Sequence, residues 1–238
     1  MKPIRHLTRA AVLAVTFTVP CVAGAAVDEA TAQALARDLN AALSAATGVI
    51  ADLQADINAA KVSKSAVTPD AIASAFVSRY EKSVGKPYDA AAKDVSGQAR
   101  DALHKAVRET IARHEGQIVK GGPDAFVPAY FRAQVLKRLN ESALSKAVKV
   151  YATNRDGELI NEDWSVKTTM KNSPLAGEVA GLMKTGALEP VAKRVGDRYL
   201  GYWPMKLAPA CVTCHARNGL KQTEGGFGGA LVIEVTVK

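Results

Sequence analysis

Between residues 28 and 61 the chain sets Leu39, Leu43, Ala46, Ile50, Leu53 and Ile57 at spacings of four and three, with mostly polar or small residues between them. That period lines one stripe of a helix. Over so short a length the stripe serves equally an amphipathic helix packed on its own domain or a short seam for a second helix. A second helical stretch runs from Asp70 to about Val84 and breaks at Lys86-Pro87-Tyr88. A third covers Gly97 to Ile118, with Ala99, Leu103, Ala106, Val107, Ile111 and Ile118 as its apolar stripe. Gly121-Gly122-Pro123 stops that pattern. A fourth helix starts at Asp124, its apolar face made by Phe126, Val127, Tyr130, Phe131, Val135, Leu136 and Leu139.

The period then shortens. Ala147 to Thr153 alternates as a strand, Asn154-Arg155-Asp156-Gly157 reads as a turn, and Pro174 opens a short helix ending near Gly186. Val191 to Met205 forms a hairpin that turns at Gly196-Asp197. At the C-terminus Leu231, Ile233, Val235 and Val237 alternate with Val232, Glu234, Thr236 and Lys238. This predicts a strand with one face buried and the other largely wet. Helices first and antiparallel strands later define an α+β fold rather than a doubly wound sheet.

Composition agrees with a globular chain of 238 residues, 48% of them hydrophobic and 23% charged. Alanine is abundant in the first half, which favours helix there. Residues 1–25 are set apart. Lys2, Arg5 and Arg9 precede the apolar run Ala10 to Val19, and Ala23-Gly24-Ala25 supplies small residues for cleavage, the pattern of a secretory signal peptide. The run is too short to span a bilayer, and no later stretch is long enough. Cleavage after Ala25 removes three basic residues and no acids, so the formal net charge of +8 falls by three. That mild, dispersed excess gives no reason to expect nucleic acid as a partner. Cleavage also removes Cys21 and leaves Cys211 and Cys214, one close pair and no disulfide framework.

Cys211-Val212-Thr213-Cys214-His215 has the spacing of a c-type haem attachment site. Each thiol forms a thioether to one vinyl group of the macrocycle, and the adjacent His215 reaches the iron as proximal ligand. The expected cofactor is therefore one covalent haem c. Such attachment occurs outside the cytoplasm, so motif and signal peptide point together to a periplasmic protein. A thioredoxin-like pair would sit at the start of a helix in a parallel βαβ setting, and a structural zinc site would need two more ligands nearby.

The second face of the iron has candidates in His114, His104 and Met205, with Met170 and Met183 better suited to packing. At about 100° per residue, His114 falls near the middle of the third helix's apolar stripe and His104 on its flank. His114 is the leading candidate for distal ligand, with Met205 and His104 as alternatives. The plain alternative for His114 is a cap on a neighbouring carbonyl near Gly116. Arg155, Arg194 and Arg198 are candidate partners for the haem propionates, against the ordinary role of solvated charges. Tyr202 and Trp203 flank the motif in sequence and are candidates to stack on the macrocycle.

Four landmarks carry a family resemblance. They are Phe126-Val127-Pro128-Ala129 opening a helix; Asn154-Arg155 with Trp164 following; Arg194-Val195-Gly196-Asp197-Arg198-Tyr199 leading to Tyr202-Trp203-Pro204-Met205; and Gly225-Gly226-Phe227-Gly228-Gly229-Ala230 before the last strand. In this order around the haem motif, residues 100–238 resemble the periplasmic haem-c-binding PAS-like sensor domains. The resemblance implies a PAS-like antiparallel sheet with flanking helices on one side, the haem at its edge, and a sixth ligand from the upstream helical region. Ala216 stands where that family has glycine after the haem histidine, and the turn at Asn154 lacks the family's prolines. The chain then divides into a signal peptide (1–25), an Ala-rich helical N-terminal segment (26–95) and a haem-binding PAS-like domain (96–238).

The function expected from these residues is redox or small-ligand sensing, or single-electron transfer, by an exported monohaem protein rather than an enzyme. Two strong axial ligands favour electron transfer, and a weak or absent sixth ligand leaves room for a diatomic gas. Its partner is a redox protein or such a gas, with a homodimer through residues 28–61 as a further expectation. The alternatives are a peroxidase-type haem enzyme, which needs a distal acid–base pair, and a thiol–disulfide oxidoreductase using Cys211 and Cys214. Arg113 beside His114 makes a poor distal pair, because helix neighbours point about 100° apart.

Overall fold

A computed structural model describes residues 26–122, 125–155, 162–217 and 220–238, apart from the side chains of Ala210, Cys214, Glu162 and Arg217. The proposed signal peptide with Cys21, and the turn residues Asp156 and Gly157, lie outside the described residues.

Helix α1 (Glu29–Asn58) begins where Asp28 accepts the Thr31 amide at 2.8 Å, capping an otherwise orphaned N–H. It buries Leu35, Leu39, Leu43, Ile50 and Ile57, and also Ala32, Ala36, Ala42 and Ala46, whose small side chains let neighbours approach closely. Helices α2 (Pro69–Val84) and α3 (Val95–Lys120) pack on α1 and on each other. α4 (Pro128–Glu141) packs on α1 and α3. Much of the stripe on α1 is thus taken up within the chain, as an amphipathic helix packed on its own domain.

One buried polar cluster ties the first three helices together. Asp38, on α1, is 8% exposed; it accepts Arg100 Nη1 at 2.9 Å, pairs with Lys86 Nζ at 3.1 Å and accepts the Tyr80 hydroxyl. Arg100 also donates to the Asp89 carbonyl at 2.9 Å, and the Tyr88 hydroxyl donates to the Arg100 carbonyl at 2.7 Å. A buried carboxylate is tolerable only when its charge and lone pairs are met in this way.

The strands β1 (Val148–Thr153), β2 (Val191–Val195), β3 (Arg198–Lys206) and β4 (Phe227–Thr236) form one antiparallel sheet in the order β1-β4-β3-β2. The β2–β3 hairpin turns at Gly196, whose φ of 61° suits glycine. Val148 faces Val235, which in turn faces Tyr199. Side chains of this parity, with Leu231 and Ile233, join α1, α3 and α4 in a single core. Residues 26–95 and 96–238 therefore meet in shared apolar packing.

The other face departs from expectation. Leu200, Tyr202, Ala230 and Val232 are buried beneath α5 (Val166–Thr169) and α6 (Ala176–Lys184), together with Val166, Met170, Leu175, Val179 and Met183. Helices thus cover both faces, where the resemblance implies one, and β4 has no wet face until Thr236. Even Glu234 is only 3% exposed, accepting Ser173 Oγ at 2.6 Å and lying 3.6 Å from Arg198 Nε. Alternation records relative polarity; it misled here because a polar residue with partners can sit in a covered face.

Candidate functional site

Beyond Pro204 the pairing of β3 with β4 slips its register. The chain then closes back through Leu207, whose amide donates to Gly226 O and whose carbonyl accepts Gly225 N–H, both at 2.9 Å. This connection delivers the cysteine motif on a helix, α7 (Pro209–Arg217). Proline at its first position suits a helix start, and Ala208 O accepts both Cys211 N–H and Val212 N–H, at 2.9 and 3.1 Å.

A helix gives the motif spacing its meaning. Positions 211, 214 and 215 are related as i, i+3 and i+4 and share one helical face, so three bonds can be made to one planar group. Cys211 is an exposed free thiol. The side chain of Cys214 lies outside the described residues. His215 is half-buried, with Nδ1 paired to the Gln222 amide oxygen. An Nδ1–H donating to that oxygen leaves Nε2 with the lone pair a metal requires, the usual arrangement of a ligating histidine fixed by an outer partner.

A cavity of about 380 Å³ adjoins the segment that leads into α7. Asn40, Leu43, Ser44 and Thr47 of α1 form one wall, and Trp203, Pro204 and Met205 of β3 another. Leu231 of β4 and Arg132 of α4 complete it. The size and mixed lining suit a small-molecule site. The Trp203 ring lies against Gly201, where an added Cβ would sit 2.3 Å from a ring carbon, so only glycine admits this ring position.

Arg132 is the unexpected member. Its Nε is buried and has no hydrogen-bond partner among the described residues. Burial holds the guanidinium down to about 10, opposed by attraction to Cys211. Arg132 lies on the apolar stripe of α4, four residues before Leu136 and seven before Leu139. A cation on an apolar stripe was the available signal for it; Gln222, in a loop, offered none.

The structure scatters the other candidates. Met205 lines the cavity, and its methyl group lies near Gly229. His114 does not line it. That ring packs between Phe126 and Tyr130, with Nδ1 3.2 Å from Gln117 Oε1 and Nε2 buried without a partner among the described residues. Tyr130 and Arg132 are about 200° apart around α4, so His114 and the cavity lie on opposite sides of that helix. His104 borders a separate groove with Asp70, Glu81 and Arg108.

Tyr202 is buried under α6, its hydroxyl 3.4 Å from Ala187 O, on the sheet face away from the cavity. Met170 and Met183 pack in that same core. Arg198 pairs with Glu234 and Asp197 about 23 Å along β3 from Met205, at ~3.3 Å per residue. Arg194 donates to Gly196 O at 2.9 Å in the hairpin, and Arg155 extends toward Gly186. Among the described residues no three His, Cys, Asp or Glu side chains cluster to hold a metal ion, and no helix is long and apolar enough to cross a membrane.

No family model matches the chain, and neither the curated proteins nor the solved structures include a match. The residues nevertheless suit a covalently held haem. An exposed thiol, an imidazole with Nε2 left open, an indole-lined cavity and an arginine whose buried Nε has no partner among the described residues stand at one end of the sheet.

Proposed function

We propose that the chain is an exported, periplasmic monohaem protein of c type, acting in redox or small-ligand sensing or in single-electron transfer. The observation that carries this reading is His215, fixed through Nδ1 by Gln222, on the same helical face as the two cysteine positions. Cys211 and Cys214 would each add across a vinyl double bond, sulfur to one carbon and the thiol hydrogen to the other, so attachment needs no oxidant. When bound, the iron supplies one-electron chemistry or a coordination site for a diatomic molecule.

The PAS-like assignment of residues 96–238 is part of the same proposal. An all-antiparallel sheet supports it, with its last strand between the first and third and helices in the connections. The same geometry bears on the choice of distal ligand. Met205 borders the cavity beside α7, which favours it over His114 and His104; with a weak thioether donor or none, the site suits a small ligand.

The test is covalent haem in the full chain produced with a haem-attachment system in an exporting host. A denatured gel band that stains for haem, lost in the Cys211→Ala, Cys214→Ala double variant, is the expected result. Absence of stain in the natural sequence removes the proposal. One observation favours a second reading, a thiol–disulfide oxidoreductase: Cys211 is an exposed free thiol in the first turn of a helix, three positions before a second cysteine. Free thiols titrating in the mature protein, with no haem stain, would select it.

A further inference from the structure

We infer that Arg132 and the cavity beside it form a carboxylate-binding subsite that takes a propionate of the haem carried by α7, an inference that rests on the covalent haem proposed above. Its buried Nε has no partner among the described residues, and no Asp or Glu lines the cavity. A guanidinium removed from water without an anion is costly. Its planar fork matches a carboxylate in a bidentate pair better than any other anion-binding side chain does.

Position supplies the second part of the case. Met205, which lines the cavity with Arg132, precedes the first residue of α7 by four positions and Cys211 by six. The cavity that Arg132 borders has both apolar and polar lining, suited to a group that is flat and apolar with acidic arms. Trp203, Pro204, Leu43 and Leu231 supply apolar surface; Asn40, Ser44 and Thr47 supply amide and hydroxyl groups. The arginines singled out by sequence do not share this placement. Arg198 and Arg194 are engaged at the far hairpin.

The holoprotein is made as the natural chain and as Arg132→Leu and Arg132→Lys, each first stained for covalent haem. Reduction potential is then followed by spectroelectrochemical titration across the neutral pH range, with resonance Raman spectra of the propionate bending region. In Arg132→Leu the potential falls, because a cation that favours the reduced, less positive iron is lost. It also becomes pH-dependent, because an unpaired, partly buried propionate takes up a proton near neutrality. Arg132→Lys keeps the charge and a flatter profile, but shifts the propionate band.

Haem-loaded Arg132→Leu with the potential, pH profile and Raman band of the natural protein overturns the inference. If Arg132→Leu carries no haem, Arg132→Lys decides by its Raman band alone: a shifted band supports the subsite, an unshifted one overturns it. A natural chain without covalent haem is a different result, since it removes the proposed function itself.

Discussion

Two charged groups, Asp38 and Arg132, sit in opposite halves of the same core and are treated in opposite ways. Asp38 is surrounded. Arg100, Lys86 and Tyr80 meet its two oxygens from α2, α3 and the loop between them. Burial and the neighbouring carboxylate push the Tyr80 hydroxyl upward, while the same carboxylate pulls the Lys86 ammonium upward. Arg132 borders a cavity with its Nε unanswered among the described residues. A closed polar cluster acts as a fastening within the fold; a charge beside a cavity makes no comparable tie between its elements.

The largest effect expected from breaking this contrast is at Asp38. Asp38→Ala leaves Arg100 buried without its counter-charge and should lower unfolding free energy by about 3–5 kcal/mol, read by urea denaturation of haem-free protein. A loss below about 1 kcal/mol would mean the cluster is no stronger than a surface pair.

Arg132→Met in the same haem-free protein should behave in the opposite sense. With no partner for the buried Nε among the described residues, removal of the charge leaves stability unchanged or raises it by about 1–2 kcal/mol. A fall of the size expected for Asp38→Ala would show that Arg132 is structural, and the contrast would collapse.

The smallest effect lies in the N-terminal helices at His104, whose pKa is lowered from the usual 6.5 by burial and then by Arg108, against opposing pulls from Asp101 and Asp70. Above 6.5 the imidazole is neutral in both states and its contribution is complete. As pH falls through that value the unfolded chain binds the proton more readily, so stability declines until the lower folded value is passed. Denaturation midpoints compared across this window should slope upward with pH, and His104→Gln should flatten the slope. An unchanged slope in that variant would assign the dependence elsewhere.

Legibility followed the physics of each element. α1 and α2 were readable because their stripes are long and uninterrupted, and the β2–β3 hairpin because Gly196 marks its turn. α7 was not. Its nine residues are too few to sustain an apolar stripe. The second covered face of β4 was hidden because Glu234 is polar in sequence, yet buried among Ser173, Tyr151 and Arg198 in space.

The residue sequence by itself determined the donor set: two thiols and an imidazole at fixed spacing, and helices before strands. Those depend on local periodicity and on bonds within five consecutive residues. Which other side chains share the site was decided only by tertiary structure. Arg132 comes from a helix some eighty residues upstream of the motif, Asn40 and Thr47 from further still, and Met205 borders the cavity while His114 packs on the other side of α4. Such neighbours are created by packing between distant segments, and no local pattern records them.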